Sequence, residues 1–171
     1  MLNMMNIVLA NVNEELGKTT ARKLSDETIE QIAALSYSFN SHVYLESDGI
    51  PANKRSQERG QILLLLTTMH IDSGSLHKIM TNTSFAGALL REANLEGTNL
   101  TGVDLQGADL QDANLQGANL DSANLSFANL WGANLHQAHL NETNLKRADL
   151  RWSILNKADL EKSDLKEADL T

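Results

Sequence analysis

Cysteine is missing from this chain of 171 residues, which excludes a disulfide scaffold, a thiol nucleophile and any zinc site with sulfur ligands. The same absence fits a reducing compartment. Proline occurs once, at Pro51, and aromatic side chains make up only 4% of the residues. Hydrophobic residues still reach 42%, so the apolar fraction comes overwhelmingly from Leu and Ala, and a core of these two must be thin and regular. Long apolar runs are lacking as well. The longest, Ile62 to Leu66, is far short of the roughly 18 residues that suggest a membrane span. The stretch from Met1 to Asn11 has no basic flank and is broken by Asn, which argues against a signal peptide. Basic residues are in deficit, 14 against 22 acidic for a formal charge of −8, whereas binding phosphates takes clustered Lys and Arg. These absences point to a soluble, cytoplasmic protein with no direct nucleic-acid binding and no membrane contact.

What is present is a repeat. From Thr83 onward the chain divides without insertion into blocks of five, beginning Thr83-Ser84-Phe85-Ala86-Gly87 and ending with the truncated Ala168-Asp169-Leu170-Thr171. The third position is Leu in every block but the first, where it is Phe85; the first is Ala in 12 of 18 blocks and the second is Asn or Asp in 14 of 18. A period of five fits neither a helix at 3.6 residues nor a flat strand at 2. First and third residues share one side of an extended segment, but three steps separate the third residue from the next first one. The chain must therefore turn a corner in every block. Asn and Asp tolerate left-handed backbone and suit the corner, and Gly at the fifth position, as in Gly87 or Gly132, relieves crowding. A path that turns the same way every five residues winds into a coil, and stacked coils about 4.8 Å apart bury Leu and Ala in a central column.

Tandem A(N/D)LXX blocks over residues 83–171 resemble the pentapeptide repeat family. The resemblance implies a mainly β fold, a right-handed quadrilateral β-helix with four blocks, or 20 residues, per coil and about four and a half coils. Thr83, Val103, Thr143 and Ser163, four of the six first-position residues that are not Ala, fall at multiples of 20 and support that number. No cofactor and no enzymatic activity are expected, because a Leu-filled interior leaves no cavity and flat faces supply no converging groups. The family is common in cyanobacteria, and some of its members mimic duplex DNA and modulate DNA gyrase or topoisomerase.

A 20-residue coil sets surface neighbours that the linear sequence hides. Phe127, Arg147 and Glu167 stack in one column, Trp131 lies beneath Arg151 in another, and Trp152 stands above Gly132, where its ring can lie back on the neighbouring coil. Each of Phe127 and Trp131 thus has an arginine one coil above, a cation–π arrangement worth roughly 0.5–1 kcal/mol when exposed. These pairs either cover backbone or, with Trp152, form a protein-docking patch of Phe127, Trp131, Arg147, Arg151 and Trp152, since Trp and Arg are enriched in binding hot spots. Charge is uneven too. No Lys or Arg lies between Glu92 and Asn144, which leaves an acidic band of Glu92, Glu96, Asp112, Asp121 and Glu142, with Asp104 and Asp109 at corners. Duplex DNA would present about 12 charges over a rod of about 20 Å, against 13 acids less 7 bases, or −6, in the repeat. That is a poor mimic.

Residues 1–82 have a different grammar and are expected to form an α-helical cap region. Ser25 with Asp26 and Glu27 predicts a helix start, and Ile29, Ile32, Ala33, Ser36, Phe39 and Val43 recur at helical spacing over about 26–45. A second helix starts near Pro51 and runs to about Met69, its apolar run 62–66 buried on two sides. Asp72-Ser73-Gly74-Ser75 ends it, and Leu76 to Met80 forms a short turn into the first coil. A cap has a task, because an open coil end exposes unpaired backbone and core Leu. The last coil has no such cover, so Leu165 and Leu170 mark a self-association edge that would make a homodimer. Of the five histidines, His139 takes the place of Asn or Asp and is expected to hydrogen-bond structurally. Neither a metal site nor a catalytic constellation is found, and the expected role is a non-enzymatic module for an unidentified protein partner.

Overall fold

The computed structural model describes residues 2–18, 20–38 and 56–171. Among the described residues four helices precede the repeat: α1 (Leu2–Lys18), α2 (Asp26–Ser38), α3 (Gln57–Thr68) and α4 (Ser73–Asn82). The first coil begins at the next residue, Thr83.

Helix α1 was not anticipated. It buries Met5, Val8, Val12 and Leu16, spaced three, four and four residues apart, against α2. Helix α2 starts where expected: Ser25 Oγ accepts from the Thr28 amide at 3.2 Å, and Ile29 and Ile32 are buried. Phe39, Val43 and Pro51 lie outside the described residues. Glu15 ties α1 to this cap by accepting from the Ser25 amide (2.8 Å), the Ser25 hydroxyl (2.7 Å) and the Thr28 hydroxyl (2.6 Å). The Ser25 amide, then the Thr28 hydroxyl, hold its carboxyl below the ordinary glutamate value against the opposing effect of burial.

The segment expected to end the second helix instead begins another. Helix α3 stops at Thr68, and Asp72 caps α4, its Oδ1 accepting from the amides of Gly74 (3.1 Å) and Ser75 (3.2 Å). An Asp before Ser-Gly-Ser reads equally as a stop or as an N-cap, and what decides is that Ile79 and Met80 can be buried by a full helix. The run 62–66 is not buried all round, since Leu65 on the outer face of α3 is 38% exposed.

In the repeat, no extended strand forms among the described residues. The blocks pair with one another through parallel bridges at their second positions, Ser84 with Asp104, Leu89 with Asp109, Asn94 with Asn114, and so on at a constant spacing of 20. Four blocks therefore complete a turn of the chain, and sides one to four begin at Thr83, Ala88, Ala93 and Thr98. Leu and Ala point inward, and from Leu95 to Leu145 the third-position Leu are fully buried.

The corners lie at the fourth and fifth positions, which corrects the expectation that Asn and Asp make the turn. Every fifth residue from Gly87 to Glu167 has a left-handed φ, and most are not glycine: Phe127 at 59°, Arg147 at 57° and Trp152 at 60° are examples. A turn whose third residue is left-handed is the type II pattern. Placing a side chain there costs roughly 1 kcal/mol.

The block around Asn129 shows how this is offset, because all five amides find acceptors. Asn129 donates to Ala108 O one coil before (2.9 Å); Leu130 donates to Asp149 O (2.7 Å) and Gly132 to Arg151 O (2.9 Å) one coil after; Ala128 closes the turn onto Leu125 O (3.1 Å). The fourth-position amide of Trp131 is the one left over, and Asn129 Oδ1 accepts it at 3.2 Å. Asn or Asp belongs at the second position because a short side-chain oxygen satisfies the amide two residues on. Its other atoms make ladders, as where Asn114 donates to Asn94 (3.3 Å) and Asn134 to Asn114 (3.2 Å).

Helix α3 joins the first coil as a partial extra layer. Ser56 caps the helix and forms a parallel bridge with Ala88, donating to Gly87 O (2.7 Å) and accepting from the Leu89 amide (3.0 Å). Half-buried Arg59 donates to Ser36 O (3.1 Å) and Ala86 O (2.7 Å), tying α2, α3 and the coil together. One continuous core runs from α1 through α3 and α4 into Phe85 and the Leu column.

Candidate functional site

The sequence-expected patch is divided by the coil into two grooves. Phe127 and Arg147 occupy the corner that closes side one, and Trp131 and Arg151 the corner that closes side two. On side one, the Arg147 guanidinium lies 5.6 Å from the centroid of the Phe127 ring, and its Nε donates to Glu167 at 2.6 Å. The ring is still 45% exposed and lines a shallow groove of about 450 Å³ with Gln106, Ser126, Asn144, Lys146, Arg147, Lys166 and Glu167.

On side two, Trp131 is 37% exposed and lines a groove of about 280 Å³ with Gln111, Asn129, Asp149 and Arg151. Arg151 is turned to carboxylates instead of forming the expected ring pair. Its Nε donates to Asp149 Oδ1 (2.9 Å) and its Nη2 to Asp149 Oδ2 (2.7 Å), with Asp169 at 3.6 Å. The hydrogen bonds from Arg151 hold the Asp149 carboxyl below the ordinary aspartate value, against the opposing effect of its partial burial. A fork that matches a carboxylate bidentately in its own block outcompetes the more distant ring. Trp152 does not lie back on the coil below, because its ring is 77% exposed.

The acidic band disperses. Glu92 and Asp112 lie on the corner after side two, Glu96 on the corner after side three, and Asp121 and Glu142 on the corner after side four. Several have local partners: Glu96 accepts from Asn114 (3.1 Å), Asp112 from Gln111 (3.1 Å), and Lys162 is 3.8 Å from Glu142. Asp104 accepts from Ser84 (2.8 Å) and Asn124 (3.0 Å), and buried Asp109 accepts from Asn129 (2.9 Å) with Arg91 at 3.7 Å. These two sit mid-side, in the bridges, and not at corners as expected.

Asp121 also takes over a job that His139 leaves undone. His139 occupies the second position of its block, where an Asn would accept the amide two residues on; that amide, of Asn141, instead donates to Asp121 Oδ1 at 2.8 Å. The structural bonds of His139 are those of its backbone, to Ala118 O (2.9 Å) and from the Leu120 amide (2.7 Å).

Among the described residues, no three His, Asp or Glu side chains are grouped so as to hold a metal ion, and no helix is long and apolar enough to cross a membrane. At the far end, Leu165 is half-buried and Leu170 is 55% exposed. The amides of Leu155, Leu160 and Leu165, at positions that donate to a following coil elsewhere in the repeat, have no acceptor among the described residues.

The family model for pentapeptide repeats matches residues 79–117, 118–156 and 143–171. Among solved structures, a pentapeptide repeat protein from the thylakoid lumen of Arabidopsis thaliana is similar over 53% of this chain and 63% of its own, at 27% identity and a TM-score of 0.50. A pentapeptide repeat protein from Nostoc is 34% identical over 52% of this chain and 84% of its own, with a TM-score of 0.32. HetL, a pentapeptide repeat protein involved in heterocyst differentiation regulation in Nostoc, is 32% identical over 50% and 52%, with a TM-score of 0.25. The chain thus spans less than two thirds of the Arabidopsis protein and about half of HetL. No curated protein matches it.

Proposed function

We propose, for a chain that belongs to the pentapeptide repeat family and carries its right-handed β-helix, a non-enzymatic role as a protein-docking rod. In this reading residues 83–171 make a quadrilateral helix of about four and a half coils, and residues 1–82 cap its first coil. The rod is rigid and works in the cytoplasm. The observation that carries the reading is the placement of Phe127, Trp131 and Trp152 on the outside. Two of them, Phe127 and Trp152, sit at left-handed corner positions, where a large side chain costs backbone energy and recovers little burial. Exposed aromatics held on a rigid frame supply contact area at low entropic cost, and they flank Arg147 and Arg151.

The experiment is affinity capture from the native organism with the wild-type chain and with a variant carrying Phe127→Ala, Trp131→Ala and Trp152→Ala. A partner retained by the wild type and lost by the variant, at an unchanged melting temperature, is the expected result; identical captures remove the patch. The dispersal of Glu92, Glu96, Asp112, Asp121 and Glu142 over three corners weighs against a DNA-like spacing of charge. The same reading includes a homodimer formed through Leu165 and Leu170. Light scattering at high concentration is then expected to give a dimer mass, and a monomer mass overturns that part.

A further inference from the structure

From the groove on side one we infer a binding site for an acidic protein segment that carries an apolar or aromatic side chain. This inference rests on reading the rod as a docking module and names the chemistry of what docks. The groove is unusual for this chain. Three of its lining residues, Lys146, Arg147 and Lys166, are cationic and one, Glu167, is anionic, on a protein whose formal charge is −8. They come together only through the coil. Lys146 and Lys166 occupy the same position in successive turns, about 4.8 Å apart, and Phe127 lies one coil beneath Arg147.

The cations are available to a ligand. Lys146 pairs with Asp164 at 2.9 Å and Arg147 with Glu167 at 2.6 Å, but all four side chains are about half exposed, and such pairs hold weakly. Lys166 makes no ion pair among the described residues; Asp164 feels its charge only at longer range. Arg147 spends its Nε on Glu167 and keeps its remaining guanidinium donors. An apolar side chain laid on the open part of the Phe127 ring would place flanking carboxylates within reach of Lys146, Lys166 and Arg147. A nucleic-acid strand fits less well. Its unbroken charge would also run against Asp164 and Glu167, whereas a peptide carries a few charges only where the groove is positive.

The test is fluorescence anisotropy at low salt with a labelled Asp-Glu-Phe-Asp-Glu peptide, its neutral counterpart Asn-Gln-Phe-Asn-Gln, and a thymidine oligonucleotide. Saturable binding of the acidic peptide, at least about tenfold tighter than the neutral one and lost in the double variant Lys146→Glu/Lys166→Glu, is expected. Phe127→Ala should weaken the acidic peptide while leaving its salt dependence in place. Equal affinity for the two peptides, indifference to the lysine reversals, or stronger binding of the oligonucleotide overturns the inference. If the peptide fails while the aromatic variant still loses its captured partner, the docking reading stands and this groove falls. If the peptide binds as expected while captures are unchanged, the groove stands without the wider patch.

Discussion

Gly60→Ala is expected to lower stability by about 3 kcal/mol, at the upper end of what overpacking costs, although it adds a single methyl group to a helix that ordinarily prefers alanine. A Cβ built at Gly60 falls 2.2 Å from the carbonyl oxygen of Leu89 and 3.1 Å from its carbonyl carbon. Both are backbone atoms of the first coil, so no side chain can swing aside. Either α3 lifts away or the Leu89 segment shifts. Both routes strain the bridge between Ser56 and Ala88 and the two bonds from Arg59 to Ser36 O and Ala86 O. The gain in helix propensity, about 1 kcal/mol, does not offset this. Thermal melting checks it: for a chain of this size the loss corresponds to about 6–12 °C, with proteolysis of the helical region at temperatures the wild type withstands. Gly17→Ala is the control, since nothing lies within 4 Å of the added Cβ in α1, and it should be neutral or slightly stabilising. A Gly60→Ala protein that melts with the wild type would show that α3 rests on the coil more loosely than the bridge at Ser56 implies.

That close approach could not be read from residues 57–68, which look like an ordinary helix, because it depends on a backbone 29 residues further on. The repeat was legible for the opposite reason. Leu at one position and Ala two before it recur without insertion, so one block states the geometry of all; the spacing of 20 comes from the family resemblance, with Thr83, Val103, Thr143 and Ser163 in support of it. Within a block the reading went astray at the second residue. Asn and Asp favour turns by local propensity, and that preference pointed to the corner; the structure uses the same side-chain oxygen to serve the turn from outside it, in the bridge. The left-handed residue is the fifth, where Gly at six positions was the signal and Phe, Trp, Arg and Lys at others masked it.

The helical region shows both kinds of error. Met5, Val8, Val12 and Leu16 carry a helical period that could have been found, and Asn3, Asn6 and Asn11 between them distracted from it. Asp72 offered no such signal, since whether it stops α3 or starts α4 depends on what Ile79 and Met80 can bury. As for the site, the column of Phe127, Arg147 and Glu167 follows from the 20-residue coil that the family resemblance implies, whereas the groove needs Gln106, Ser126, Lys146 and Lys166 from four successive turns. The acidic band is a neighbourhood in sequence and not in space. A chain that turns every five residues sends its members to different corners.

The architecture also dictates how damage to the core should spread. In a stack where each coil touches only the one before and the one after, stability is a sum of coil terms and interface terms. Leu125 lies in the middle of the column with no exposed surface, and coils cover it on both sides. Leu125→Ala removes its packing against both neighbours and leaves a cavity that backbone bonds on all four sides prevent from collapsing; a cost of about 4 kcal/mol is expected. Leu160 has the same chemistry at the same repeat position but is only half-buried and is covered from one side. Leu160→Ala should cost about 1 kcal/mol, in proportion to the smaller area removed. Urea denaturation of the two variants distinguishes local from global coupling. Near-equal losses would mean that the last coil is as firmly held as the centre. A fourfold difference, with the Leu125 variant alone broadening the transition as the array divides at the damaged coil, is the result that nearest-neighbour stacking requires.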